Sequence, residues 1–145
     1  MRIAVISDTH GRLPEKVAAA IRTADEIWHL GDFDNPMLLE TVRGLAPAFH
    51  GVLGNCDDGI NLPTKKFLER GGHSFLLIHI PPAKPGGADF LLHGHTHVPR
   101  DEKMGLTRVL NPGAVGKANK GAPPSYAWLE IDEQTGAVDW RVVRF

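Results

Sequence analysis

Seven side chains with metal-binding chemistry stand at similar places along the chain. Asp8 and His10 follow one short apolar run, Asp32 follows a second and Asn55 a third; His79 lies near the end of another, and His95 and His97 follow one more. Together they offer two carboxylates, one amide oxygen and four imidazoles, more than an ordinary single metal needs and suited to two. An aspartate has two oxygens, so it can bridge two ions about 3.5–4 Å apart, the spacing used for in-line displacement at phosphorus. Two divalent ions less two carboxylates leave a charge of about +2, which draws a phosphate anion. Mixed imidazole and oxygen ligands favour manganese, iron, zinc or nickel over magnesium or calcium.

The elements that position these groups can be read from the apolar runs. Residues 2–6 predict a strand, and Pro14 opens a helix to Thr23 with Val17, Ala20 and Ile21 on one face. The grammar repeats with a strand over 26–30 and a helix from Pro36 to Arg43, then a strand over 48–53. Further strands are predicted over 64–70, 73–80, 89–93, 106–110, 125–131 and 137–144, the last two as a hairpin. Breaker-rich loops fill 81–87 and 112–124. Alternating strands and helices predict a parallel sheet at the start, and in open α/β sheets ligands bind beyond the carboxyl ends of strands, where all seven residues fall. Gly31, Gly54 and Gly94 each precede a candidate ligand, and glycine would permit the tight exit that turns the next side chain over the sheet edge.

The chain has 145 residues, with 16 Lys+Arg against 17 Asp+Glu for a formal net charge of −1. That length predicts one domain over 1–145, and 42% hydrophobic residues are enough for a core. The charge balance argues against a basic nucleic-acid groove or broad binding to anionic membrane. The single cysteine, Cys56, excludes an intramolecular disulfide and suits a reducing compartment, so the cytoplasm is the expected location. No apolar stretch is long enough for a signal-peptide core or a membrane helix.

The order D-x-H (Asp8, His10), G-D (Gly31, Asp32), G-N-C-D (Gly54 to Asp57), a strand-end His79 and G-H-T-H (Gly94 to His97) resembles the calcineurin-like metallophosphoesterases. Within them it is most similar to the small one-domain phosphodiesterases of bacteria and archaea, where N-P-G-[SA]-V, here Asn111 to Val115, also occurs; the match spans residues 3–115. The resemblance implies an α/β fold, a four-layer αββα sandwich with mixed sheets. It implies one metal held by Asp8, His10, Asp32 and His97 and another by Asp32, Asn55, His79 and His95, with Asp32 bridging. A hydroxide shared by the two metals, manganese first among the candidates, would attack phosphorus in a small phosphodiester, with Asp32, Asn55 and His95 the catalytic set.

The chain departs from the family's usual pattern in two places. Where relatives show His-Gly and then a longer helical segment, this chain has His79-Ile80-Pro81-Pro82, and residues 80–94 hold three prolines and three glycines, which predicts no helix and a shortened, more open wall. Cys56 stands where many members carry a histidine able to protonate the leaving group, and a thiol is a poor substitute. His93 is an alternative ligand by proximity, Asp57 is expected to orient neighbours, and Arg12 and Arg100 are candidates to touch phosphate. His29, His50 and His73 are expected to satisfy local structure, and Asn111-Pro112-Gly113 to support the metal loops. The alternative function is a non-catalytic scaffold, as in the retromer subunit of this fold; retention of every ligand position favours the enzyme. A homo-oligomer through the C-terminal hairpin stays open, and a redox role for Cys56 has no second thiol to support it.

Overall fold

The computed structural model describes residues 1–116 and 121–145. Strand β1 (Arg2–Ile6) leads through α1 (Glu15–Ile21) to β2 (Glu26–His29), and through α2 (Pro36–Arg43) to β3 (Ala48–Gly51). Then come β4 (Lys65–Arg70), β5 (His73–Ile78), β6 (Phe90–Leu92), β7 (Arg100–Met104), β8 (Thr107–Asn111), β9 (Ser125–Ile131) and β10 (Val138–Arg144). Two five-stranded mixed sheets result, in the orders β10-β9-β1-β2-β3 and β4-β5-β6-β8-β7. In the first, β1, β2 and β3 are parallel and the β9–β10 hairpin adds antiparallel to β1. In the second, β5, β6 and β8 are parallel, with β4 and β7 antiparallel at the edges.

The central strands of both sheets are apolar on the faces they bury. Ile3, Val5, Trp28 and Leu30 of the first sheet meet Phe75, Leu77, Leu92 and Leu110 of the second in one buried cluster. The rings of Phe75 and Phe90 stack at 4.8 Å and Trp28 meets Phe75 edge-on at 5.3 Å, arrangements that add to the area they bury. The outward face of the first sheet, Ala4, Ile6 and Ile27, is covered by Val17 and Ile21 of α1 and by Leu38 and Val42 of α2. Asn35 caps α2 by accepting from the Met37 N–H at 2.8 Å, and Pro36 takes the first helical position, where its missing N–H costs nothing.

The expected sandwich is present in its two β layers and in the α layer over the first sheet. Among the described residues no helix covers the second sheet. Its outer face is a small cluster of Leu76, Leu91 and Val109, with Ile78, Ala88 and Met104 packed against it, and the segment after β5 runs in turns and bends, as Pro81, Pro82 and Pro85 require. Two expectations need correction. Strand β7 was not predicted, because its sequence RDEKM has no apolar alternation; it forms as a charged edge strand paired with β8, a composition that discourages further pairing. The strand expected over 48–53 stops at Gly51. The loop expected over 112–124 lies outside the described residues at 117–120. Trp128 is buried and Trp140 and Phe145 are partly buried against the two main clusters, and no helix of the described residues is long and apolar enough to cross a membrane.

One ion pair ties the sheets together. Glu26 on β2 is 6% exposed and accepts from Arg70 Nε of β4 at 2.9 Å, Arg70 Nη2 at 3.1 Å and the Trp28 indole N–H at 3.0 Å. Burial opposes its charge, but these donors outweigh it and hold the carboxyl below its ordinary value of 4.5. A carboxylate depressed in the folded state stabilises above its unfolded pKa and loses that contribution as pH falls through the folded one. Glu26→Gln is therefore expected to lower stability at pH 7 by about 1–3 kcal/mol. In thermal melts its deficit against the parent protein should shrink as pH drops below 4.5; a deficit constant with pH would show that the charge contributes nothing.

Candidate metal centre

The parallel strands of both sheets end at the same edge, and each delivers one loop to it. β1 supplies Asp8 and His10, β2 supplies Asp32, β3 supplies Asn55, β5 supplies His79 and β6 supplies His95 and His97. The structure brings all seven together around Asp8 and Asp32. Asp8 Oδ1 lies 3.2 Å from His97 Nε2, 3.7 Å from His10 Nε2 and 3.9 Å from His79 Nε2. Asp32 Oδ2 lies 3.2 Å from His79 Nε2 and 3.7 Å from His10 Nε2. Asn55 Oδ1 is 2.9 Å from His79 Nε2 and 3.1 Å from His95 Nδ1, and the Nε2 atoms of His10 and His97 are 3.2 Å apart.

Backbone strain concentrates here. Among the described residues, the non-glycine residues with left-handed φ are Asp8 (53°), His10 (46°), Asp32 (64°), Asp34 (67°), His95 (73°) and His97 (64°). Such residues cost free energy and persist where the surroundings over-determine them, most often at functional sites. Of the three glycines before candidate ligands, Gly31 has the expected left-handed backbone (φ 101°) and the other two act otherwise. Gly54 and Gly94 have no positive φ; their role is space, since a Cβ on Gly54 would strike the Asp32 carboxylate and one on Gly94 the Ser7 hydroxyl and the Asp8 carboxylate. Candidate ligands Asp32 and His95 themselves make the turn after a glycine. Asn55, a residue type that tolerates the left-handed region, does not adopt it.

Several neighbours hold the loops in place. Asp57 is buried, and its carboxylate accepts from Asp32 N–H at 2.8 Å, Gly54 N–H at 2.8 Å and Asp34 N–H at 3.0 Å, the orienting role expected of it. His29 is buried and stacked on Phe33 at 3.6 Å. Burial drives its pKa well below 6.5; the neutral ring takes the Gly31 N–H on Nδ1 at 3.0 Å and meets Thr9 Oγ1 with Nε2 at 3.0 Å. Asn111 Nδ2 donates to Gly94 O at 3.3 Å and Thr96 Oγ1 at 3.0 Å, so the turn that follows β8 supports the G-H-T-H loop.

His93 and Arg100 are not placed to serve the centre directly. Burial lowers the His93 pKa to about 4, its Nδ1 faces Gly94 O at 2.8 Å, and its Nε2 accepts from Arg100 Nη1 at 3.1 Å. Arg100 also pairs with Glu102, so its guanidinium is engaged by His93 and Glu102. Arg12 is exposed in the turn after His10. His50 sits beside Glu26 and Arg70, and His73 meets Gly136 O at 2.6 Å, structural roles as expected. Sequence reasoning missed Asp34, whose Oδ2 lies 2.8 Å from His10 Nδ1; its one signal is the second aspartate of G-D-F-D.

The donor set fits divalent cations. Asp8 Oδ1 is buried without a hydrogen-bond partner. His79 Nδ1 meets Leu30 O at 2.7 Å, so one N–H is on that side and Nε2 faces the oxygens of Asp32 and Asn55; without a cation those oxygens favour a proton on Nε2, and a cation between them would take that proton's place. Asp34 fixes His10 in the same sense. Burial raises the Asp8 carboxyl, offset in part by the Ser7 hydroxyl at 2.6 Å and by His79 and His97. Burial opposes ionisation of Asp32 as well, but His79 and the Cys56 N–H at 2.9 Å overcome it and bring the carboxyl to about 2. The ligand atoms of Asp8, His10 and His97 lie within 4.8 Å of one another, as do those of Asp8, Asp32 and His79. Cys56 is exposed near His10 and Asp34; partial burial and the Asp32 and Asp34 carboxylates raise its thiol above the ordinary value.

Comparison with known proteins agrees with this geometry. The family model of the calcineurin-like phosphoesterase superfamily domain matches residues 1–134. A protein of Methanothermobacter thermautotrophicus named "probable metallophosphoesterase" is 33% identical, over 99% of this chain and 92% of that one. The phosphodiesterase YfcE of Escherichia coli is 28% identical over 64% of this chain and 58% of its own length. A solved structure of Yfce, described as a phosphoesterase from E. coli, superposes with a TM-score of 0.79 at 25% identity, covering 99% of both chains. Vps29 of Entamoeba histolytica, solved complexed with zinc, shares the fold with a TM-score of 0.80 at 23% identity, again over 99% of both chains.

The Asp57 clamp yields a test. Asp57→Asn keeps the size but turns an NH2 group toward backbone N–H donors. Manganese affinity, measured by calorimetric titration, is expected to fall about 10–100-fold, as for loss of an outer partner of a metal site. Unchanged affinity in a folded variant would remove Asp57 from the support of the centre.

Proposed function

Since the chain belongs to the calcineurin-like phosphoesterase superfamily, we propose that it is a dinuclear metal-dependent phosphodiesterase acting on small phosphodiesters. The observation that carries this reading is the position of Asp32. Its Oδ2 faces His10 at 3.7 Å and His79 at 3.2 Å, between a group of Asp8, His10 and His97 and a group of Asn55, His79 and His95. We assign the first group with Asp32 to one ion and the second with Asp32 to the other, manganese being our first choice, then nickel, zinc or iron. When bound, such a pair supplies an acidified water as nucleophile and positive charge opposite the phosphoryl oxygens. The chain's own part is to hold His10 and His79 in the right tautomers through Asp34 and Leu30 O, and to present Asn55 and His95, both exposed, toward the entering ester. With Asp32 they form the proposed catalytic set. The Cys56 thiol, its pKa raised, is a weak proton donor, so diesters with good leaving groups turn over best.

The core runs from Ile3 to Ile131 through both sheets, which supports treating 1–145 as one domain. The lone free thiol supports a cytoplasmic setting. A scaffold function of the same fold is the second reading. It draws on one observation, an apolar hollow lined by residues 83–89 and 104–107 on the second sheet, with Leu106 92% exposed at its side.

One experiment separates the two. The protein is stripped of metal, manganese, nickel or zinc is restored singly, and hydrolysis of bis(p-nitrophenyl) phosphate is followed beside Asp32→Ala and His95→Ala. The proposal expects turnover only with metal, and a loss in both variants larger than the about 10–100-fold that an outer partner costs. No turnover with metal bound would leave the scaffold.

A further inference from the structure

A second cavity adjoins the centre. It has a volume of about 340 Å³ and is lined chiefly by Leu53, Thr64, Ile78 and Ile80, with Asn55 and His79 also in its wall. Leu53 follows β3 and Thr64 precedes β4, and the two ends of that connection are tied by the Leu53 N–H donating to Pro63 O at 2.8 Å. Ile78 ends β5. Ile80 is 51% exposed, a large apolar side chain left open beside a polar centre, and Pro81 after it confines its backbone to extended conformations.

None of the residues lining this slot is a lysine, arginine, aspartate or glutamate. A second phosphate or a carboxylate entering it would give up water and meet no cationic side chain, with only Thr64, Asn55 and His79 offering polar atoms in return. An aromatic or other apolar group would lose nothing by the same move, and the volume is within the range of sites that enclose small ligands. Asn55 and His79 belong both to the slot and to the proposed second metal group, so whatever fills the slot is continuous with a phosphorus seated at the centre.

We infer that this slot is the specificity pocket of the site and receives an uncharged aryl or nucleobase-sized ester group of the substrate, with Ile80 as the residue that selects it. The inference rests on the phosphodiesterase reading above and adds the substrate class: diesters bearing a flat apolar group, rather than those whose second group is small or charged. Ile80 acts by contact with that group and takes no part in the chemistry.

Phosphonates test the slot without turnover, because each carries one organic group on a phosphorus the metals can hold. Binding of methylphosphonate and phenylphosphonate to the manganese-loaded protein would be measured by calorimetry, in the parent and in Ile80→Asn and Ile80→Leu. Phenylphosphonate is expected to bind roughly 10-fold tighter, the return of the five non-hydrogen atoms by which phenyl exceeds methyl at an ordinary ligand efficiency. Ile80→Asn should cut that preference to a few-fold with methylphosphonate affinity unchanged, and Ile80→Leu should keep it. Equal binding of the two phosphonates to the parent protein would overturn the slot and leave the phosphodiesterase reading standing. A preference untouched by Ile80→Asn would overturn the assignment to this slot. Failure of both phosphonates to bind would overturn the reading of the centre itself, and the slot with it.

Discussion

Two buried carboxylates set side by side, Asp8 and Asp32, are the feature to which the carboxyl edge of this molecule answers. Both are almost fully enclosed, and Asp8 Oδ1 has no hydrogen-bond donor. An arrangement of that kind is expensive in a bare protein. Around it the chain spends further free energy: among the described residues, six non-glycine residues lie in the left-handed region, and the imidazole nitrogens of His10 and His97 face each other at 3.2 Å. Each of these costs makes sense if the groups are ligands, because a cation turns the same contacts from repulsive to attractive. Taken apart, none has a structural return.

The clustering of the candidate ligands was legible in the sequence because those residues are few in type and fall after apolar runs. Strand ends in a parallel sheet point one way, so knowing that β1, β2 and β3 alternate with helices was enough to place Asp8, Asp32 and Asn55 on one edge. The second sheet was harder, since its strands follow one another without helices, yet His79, His95 and His97 reach the same edge because β5, β6 and β8 are parallel too. What was not legible is what depends on backbone geometry. Asp34 orients His10 through a contact between residues 24 apart, and nothing in their spacing fixes that. Gly31 does supply conformational freedom, but Gly54 and Gly94 supply empty space instead, and the two uses leave the same mark on a sequence. Strand β7, with four charged residues in five, carries no apolar signal because an edge strand facing solvent needs none.

The segment after His79 links a gap in the fold to a feature of the site. Three prolines between 81 and 85 deny the second sheet a covering helix, so its outer face is closed only by side chains of a small cluster. The same prolines stiffen the chain beside the centre and leave Ile80 half exposed. A helix there would place a wall of its own over this edge. Its absence opens the site laterally, and the apolar character of what is left gives the opening a chemical preference.

The two ends of the sandwich therefore obey different rules. At the amino end of β2, Glu26 meets Arg70 and Trp28 with its carboxylate satisfied from three directions, and it joins the sheets where no ligand is handled. At the carboxyl end of the same strand, three residues past His29, Asp32 is held by backbone donors and faces a cluster whose polar atoms are left over. A strand of four residues thus separates a closed polar network from an open one. If the open network were at the structural end, its unpaired groups would weaken the join between the sheets. If the closed one were at the ligand edge, no valence would be free for a metal. Fixing the sheets at the far end lets the near end carry strain without loss of register, and register is what keeps the other five candidate groups within reach of the two buried carboxylates.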